Sequence, residues 1–180
     1  MASPVIIVDY DKAWPAMYEA ERARLLRELG SVIIAVEHVG STAVPGLAAK
    51  PIIDIMAGVR HIDDARACLP VLARMGYVYH PEFEALISER RFFIKHGPDD
   101  ARTHHLHIVE PGTEFWELHI LFRDYLRAHR DVAEAYAQLK RRLAAQFAFN
   151  RPAYQDAKTD FIQAVEEKAR AERRARNRAP

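Results

Sequence analysis

The sequence predicts an α+β fold, a mixed β-sheet with flanking helices and a C-terminal helical segment. Three observations lead there. Short β-branched runs fill the middle of the chain, several follow one another with no helix between them, and helical periodicity takes over from Thr113 onward. A doubly wound fold would instead alternate strand and helix throughout.

Each element has its own signal. "WPAMYEAERARLLRELG" sets Leu25, Leu26 and Leu29 on one apolar side, with Pro15 in the first turn and Gly30 as the stop, which predicts a helix. "SVIIAVEHVG" reads as a buried strand, and "PIIDIMAGV" as a second one. Between them "STAVPGLAAK" cannot be a long helix, because Pro45 and Gly46 interrupt it. "HIDDARACLPVLARMG" predicts a helix that ends at Gly76 and kinks at Pro70. "YVYH", "RRFFIK" and "THHLHIVE" are the remaining strands.

The C-terminal part is helical. "TEFWELHILFRDYLRAH" opens at a Thr cap, and "DVAEAYAQLKRRLAAQFAFN" opens with Asp131 and Glu134 at capping-box spacing. "PAYQDAKTDFIQAVEEKARAERRA" carries Pro152 near its start. Residues 1–165 read as one domain that includes these helices, and 166–180 as a charged, fraying helical tail.

Composition narrows the partners. A formal net charge of +1 favours no charged surface or polymer. The basic tail "EEKARAERRARNRAP" interleaves glutamates and has no aromatics, so it reads as a solvated helix end and not as a nucleic-acid surface. Cys68 has no second cysteine to pair with, which excludes a disulfide framework and a cysteine-based zinc site and fits a reducing cytoplasm. No stretch approaches the roughly 20 apolar residues of a bilayer span, and the N-terminus has no basic leader, so the expectation is a cytoplasmic protein away from the membrane.

Four groups of residues can carry chemistry. Gly40 and Ser41 form a turn leaving a strand, where a glycine lets a phosphate approach the backbone without a Cβ in the way. Asp54 lies inside an apolar strand, where an ionised carboxylate needs a pairing, a hydrogen bond or a cation. A hard ion such as Mg²⁺ suits it, because Mg²⁺ is held by carboxylate oxygens together with substrate phosphates. Strand alternation puts His105 and His107 on one face, where two imidazoles can ligate a metal, contact phosphate or move a proton. His38 either joins them or is a hydrogen-bonded core histidine. Lys50, Arg90, Arg91 and Lys95 flank the strands. Arg123 and Arg127 share a helix face, from which they reach a triphosphate or pair with Asp124.

The string "EHVGSTAVPGLAAKPIIDIMAGV", with "RRFFIK", "THHLHIVE", "FRDYLRAH" and "YQDAKTDFI" in the same order, resembles the GrpB family of the nucleotidyltransferase-like superfamily over nearly the whole chain. The resemblance implies a nucleotidyltransferase-like fold in which the Gly-Ser turn meets nucleotide phosphates and acids on the next strand hold divalent metal. Gly40 and Ser41 match the phosphate-contacting pair, and Asp54 matches the first metal-binding acid. The second acid would fall at Met56, which cannot hold Mg²⁺. A third should come from a later strand, where this chain offers His105 and His107, with Glu110 at the strand end.

The expected function is therefore nucleotidyltransferase-like. A nucleoside triphosphate binds at Gly40, Ser41, Lys50, Arg91 and Arg123, a divalent ion sits on Asp54 and His107, and Asp54, His105 and His107 assist transfer to an acceptor of unknown identity. The alternative suggested by Met56 is a catalytically inactive nucleotide-binding or accessory module. A metal-dependent hydrolase built on Asp54 and the two histidines ranks third.

Overall fold

The computed structural model describes residues 4–178. Helix α1 (Trp14–Leu29) precedes strand β1 (Ile33–Val39), a 3₁₀ turn at Ser41–Ala43 and strand β2 (Ile53–Val59). Helix α2 (Ala65–Arg74) leads to β3 (Tyr77–Tyr79), a 3₁₀ turn at Pro81–Phe83, β4 (Arg90–His96) and β5 (Arg102–Val109). Four helices end the chain: α3 (Glu114–Ala128), α4 (Arg130–Gln146), α5 (Arg151–Asp156) and α6 (Thr159–Arg178). The strands form one five-stranded sheet in the order β1-β2-β5-β4-β3. Only β2 and β5 run parallel, so the sheet is mixed, as the succession of strands requires.

Strand alternation gives the two faces different work. Ile53, Ile55, Ala57 and Val59 of β2, Leu106 and Ile108 of β5 and Phe93 of β4 point one way, into the main core against Leu25, Cys68 and Leu72 of α1 and α2. Asp54 and Met56, and their register partners His105 and His107, point the other way. That second face is only partly roofed. Trp116 of α3 closes over Val39, Met56 and Val109, while Asp54, the register partner of Val39, keeps 31% of its side chain exposed.

The last helices build their own core on the segment after the 3₁₀ turn. Val44, Leu47 and Ala48 pack with Leu126, Tyr136, Ala137 and Val165, which holds α3, α4 and α6 beside the sheet edge. No helix among the described residues is long and apolar enough to cross a membrane.

Helix ends depart from the sequence reading in two places. The Asp131/Glu134 pair does not cap α4, which starts directly after α3 with His129 between them, so Asp131 lies in the first turn, where it complements the helix dipole. The final helix is two helices. Asn150 caps α5 through the Ala153 N–H at 3.1 Å, and the chain breaks at Ala157 and Lys158 before α6 begins. Pro70 lies inside α2. Residues of the expected tail continue α6 to Arg178, where Arg170 and Arg173 pair with Glu114 and Glu117 of α3.

Candidate active site

Gly40 sits at the end of β1 with φ 70° and ψ −170°, a conformation open to glycine. Because Val39 pairs with Asp54 across the β1–β2 ladder, the turn lies directly on that carboxylate. A Cβ on Gly40 would come within 2.4 Å of Asp54 Oδ2. The glycine is thus required twice, by backbone angle and by the closeness of the acid.

His105 Nδ1–H donates to Asp54 Oδ1 at 2.9 Å, a pairing set by the parallel register of β2 and β5. Among the described residues His105 Nε2 has no hydrogen-bond partner. Burial alone would raise the Asp54 pKa, but the His105 hydrogen bond and nearby positive charge, Lys50 included, bring it down to about 2. The carboxylate is ionised at neutral pH.

His107 lies beside Met56 instead, 9% exposed, with ring centroids of Phe92 at 4.9 Å, Phe115 at 5.6 Å and His119 at 6.2 Å. Its Nδ1 has no hydrogen-bond partner among the described residues. Burial, reinforced by the neighbouring His119, holds its pKa well below the usual histidine range, so the ring is neutral. Met56 itself is fully buried beneath Trp116. The position where a second acid was expected is therefore part of the core under α3, closed to a hydrated ion.

On the other flank of Asp54 stand three lysines. Lys140 of α4 donates to Ser41 Oγ at 2.8 Å and to the Ala48 carbonyl at 2.5 Å. Lys158 bonds the Gln155 side chain and lies 4.5 Å from the Tyr154 ring centroid, and Lys50 lies 5.7 Å from the same centroid. Lys140 and Lys158 are only 2% and 8% exposed. Burial, then repulsion from neighbouring cations, pushes both down to about 7, and Asp54 is the acid that opposes this. Lys50 is lowered for the same reasons. Among the described residues Asp54 is the one carboxylate whose charge acts on all three ammonium groups, an imbalance that costs stability.

The structure brings together Gly40, Ser41, Lys50, Asp54 and His105, with His107 one register step away. It takes Arg123 and Arg91 elsewhere. Arg123 is held by Glu37 at 2.7 Å, Asp124 at 2.7 Å and the His38 carbonyl at 2.9 Å, while Arg127 donates to the Ala43 carbonyl at 2.9 Å. These two arginines brace the Gly-Ser turn from outside. Arg91 donates to the Ser88 carbonyl and pairs with Glu84 at 3.4 Å. Glu110 accepts from the Ile62 N–H at 2.7 Å, and His38 bonds Thr42 and stacks on Tyr18 as a core histidine.

Lys140 and Lys158 were not foreseen as site residues, although a signal for each existed. Lys140 sits in the apolar stripe of Tyr136, Ala137, Leu143 and Ala144, at spacings of three and four, where a solvated lysine has no place. Lys158 falls four residues after Tyr154 and before Ile162, again on the buried side.

The donor set decides what a metal ion would find. Among the described residues no three His, Cys, Asp or Glu side chains converge as a metal-binding group. Asp54, already bonded to His105 through one oxygen, suits a single hard ion shared with bound phosphates and water, not a cage made wholly of protein.

The family model described as "GrpB protein" matches residues 4–168. The chain belongs to the GrpB family. It is 41% identical over 175 residues to the UPF0157 protein YqkA of Bacillus subtilis, covering 97% of this chain and 50% of that one, so it spans half the length of that relative. A UPF0157 protein of Halalkalibacterium halodurans is 36% identical over 170 residues, with 93% and 83% covered. The crystal structure of the conserved protein GrpB from Enterococcus faecalis superimposes with a TM-score of 0.82 at 38% identity, covering 91% of this chain and 96% of that one. The GrpB fold seen there is the same α+β arrangement, in agreement with the nucleotidyltransferase-like fold expected from the sequence.

Proposed function

We propose that the chain is a cytoplasmic nucleotidyltransferase-like enzyme that binds a nucleoside triphosphate with a divalent ion, Mg²⁺ by its chemistry, and transfers the nucleotidyl group to an acceptor hydroxyl. One observation carries this reading: a glycine turn pressed against an ionised aspartate beside three lysines that pair with no acid among the described residues. A polyphosphate supplies the missing negative charge. Gly40 and Ser41 admit it to the backbone, and Lys50, Lys140 and Lys158 neutralise its oxygens as charge moves onto the departing pyrophosphate.

In the transfer, the acceptor oxygen bonds to the α-phosphorus while the α-phosphorus to bridging-oxygen bond breaks and pyrophosphate leaves. The acceptor proton passes to an imidazole. His105 is suited to take it, since Asp54 fixes its Nδ1–H and leaves Nε2 unpaired, and His107 offers a neutral ring nitrogen beside it. Asp54 would hold the divalent ion together with phosphate oxygens and water. Such an ion supplies Lewis-acid stabilisation of the phosphates.

Titration calorimetry with a non-hydrolysable ATP analogue tests this. Binding should need divalent metal and fall at least about 100-fold in Asp54→Ala, and pyrophosphate should appear when the right acceptor is present. Metal-independent binding that survives Asp54→Ala would overturn the reading. The closure of Met56 under Trp116 supports a second possibility, a binding module without turnover. It predicts the same lysine-dependent binding with no pyrophosphate release against a broad acceptor panel.

A further inference from the structure

Seven buried side-chain N or O atoms lack a hydrogen-bond partner among the described residues, and four of them belong to groups around one ring, Phe92. They are His80 Nε2, Arg90 Nε, His105 Nε2 and His107 Nδ1. The ring centroids of His80, His105 and His107 lie 6.1, 5.3 and 4.9 Å from that of Phe92, and the Arg90 guanidinium carbon lies 5.0 Å from it. The three imidazoles and the guanidinium thus carry unsatisfied polar groups in an aromatic setting, where an unmade hydrogen bond is costly.

Arg90 is the unusual member. Its guanidinium carbon is also 5.4 Å from the Phe115 ring centroid, so two aromatic rings hold it. Among the described residues no carboxylate forms an ion pair with it, the adjacent Glu89 accepting instead from the Phe115 N–H at 3.2 Å, and burial lowers its pKa. A guanidinium fixed by aromatic rings keeps its fork of N–H donors oriented at little entropic cost, and that fork matches the two oxygens of a carboxylate or phosphate. Phe92 and His107 are register partners across β4 and β5, and His107 is one alternation along the strand from His105, which bonds Asp54. The patch therefore continues directly from the proposed transfer site, on the side away from the lysines.

We propose that Arg90 anchors the acceptor pocket and that the acceptor is a small hydroxy compound carrying an oxyanion, a carboxylate or a phosphate monoester. The anion seats on the Arg90 fork, and the hydroxyl lies toward His105 and His107. This rests on the nucleotidyl-transfer reading for its purpose but not for its test, since anion preference at Arg90 is measurable by itself.

Glycerate, glycerol 3-phosphate and glycerol share one three-carbon skeleton and differ in charge. Their binding to the full chain is measured by ligand-observed NMR with a non-hydrolysable ATP analogue present. At least one of the two anions should bind about tenfold tighter than glycerol, and which one does so distinguishes carboxylate from phosphate. In Arg90→Met the preference should shrink to within about twofold, and Arg90→Lys, which keeps the charge but not the fork, should lose most of it. Arg66→Met, at an exposed position of α2 away from both flanks, should leave it unchanged. Equal binding of all three by the natural chain, or an anion preference that survives both Arg90 variants, overturns the proposal. If the ATP analogue does not bind, the nucleotide reading fails separately. The same series in Lys158→Met, without the analogue, still reports on Arg90.

Discussion

The two flanks of Asp54 solve opposite electrostatic problems. On the helical flank, Lys50, Lys140 and Lys158 crowd positive charge into a buried corner, and burial with mutual repulsion drives the latter two down to about 7. On the sheet flank, His107 and His119 are kept neutral by the same desolvation, and aromatic rings surround them. Desolvation acts alike on both, but a lysine starts about four units higher than a histidine and still carries substantial charge at neutral pH after the shift. In the proposed reading, the cationic wall meets the polyphosphate and the wall of neutral imidazoles handles the proton. Asp54 touches both, through His105 on one side and the field of the lysines on the other.

This contrast can be broken at several points. The largest effect is expected where charge is forced into the roofed part of the sheet. Met56→Asp places a carboxylate beneath Trp116 and should destabilise the fold by about 3–5 kcal/mol without creating a metal site, as read by urea unfolding. A stable variant with new metal affinity would show that this end of the sheet is open. Gly40→Ala should cost about 2–3 kcal/mol, since it combines a positive φ with a contact on Asp54, and thermal unfolding measures it.

The helical flank responds in binding before it responds in stability. Lys158→Met should weaken inorganic pyrophosphate binding about tenfold while leaving the unliganded fold as stable or more so, because an unpaired buried cation is gone. Unchanged pyrophosphate affinity would remove this lysine from the site.

The pH profile is the mildest probe and separates the flanks without mutation. Lys140 and Lys158 titrate near 7 folded and near 10.5 unfolded, so between those values the unfolded chain binds more protons and stability rises with pH. Their contribution is complete above about 10.5 and lost as pH falls through about 7. Pyrophosphate affinity should move the opposite way, declining from pH 6 to pH 9 as the ammonium groups of the free protein lose their protons. Affinity that is flat across that range would mean that other cations hold the anion.

Much of the sheet side was legible beforehand, because local rules suffice there. Period-two alternation placed His105 and His107 on one face, and the β-branched run around Asp54 marked a strand whose carboxylate needed a partner. The partner is His105, two positions before the histidine expected to share a metal with Asp54. Sequence could not choose between them, since the choice depends on the parallel register of β2 and β5. Arg91 and Arg123 were named for their charge, but the structure uses Arg123 to brace the turn at the His38 carbonyl and ties Arg91 to Glu84. A long basic side chain reaches many places, and the nearest carboxylates and carbonyls decide which one it takes.

The sequence by itself determined the α+β class, the glycine turn and the strand aspartate, because backbone preference and side-chain alternation act over a few residues. Tertiary structure decided which groups meet that aspartate. Lys140 of α4 and Lys158, in the break between α5 and α6, lie more than eighty residues further along the chain, and only the packing of Tyr136 and Ala137 on Val44 and Leu47 carries α4 to Ser41. Met56 was an absent ligand in the sequence and became, once α3 had folded over it, a core side chain with no access to an ion.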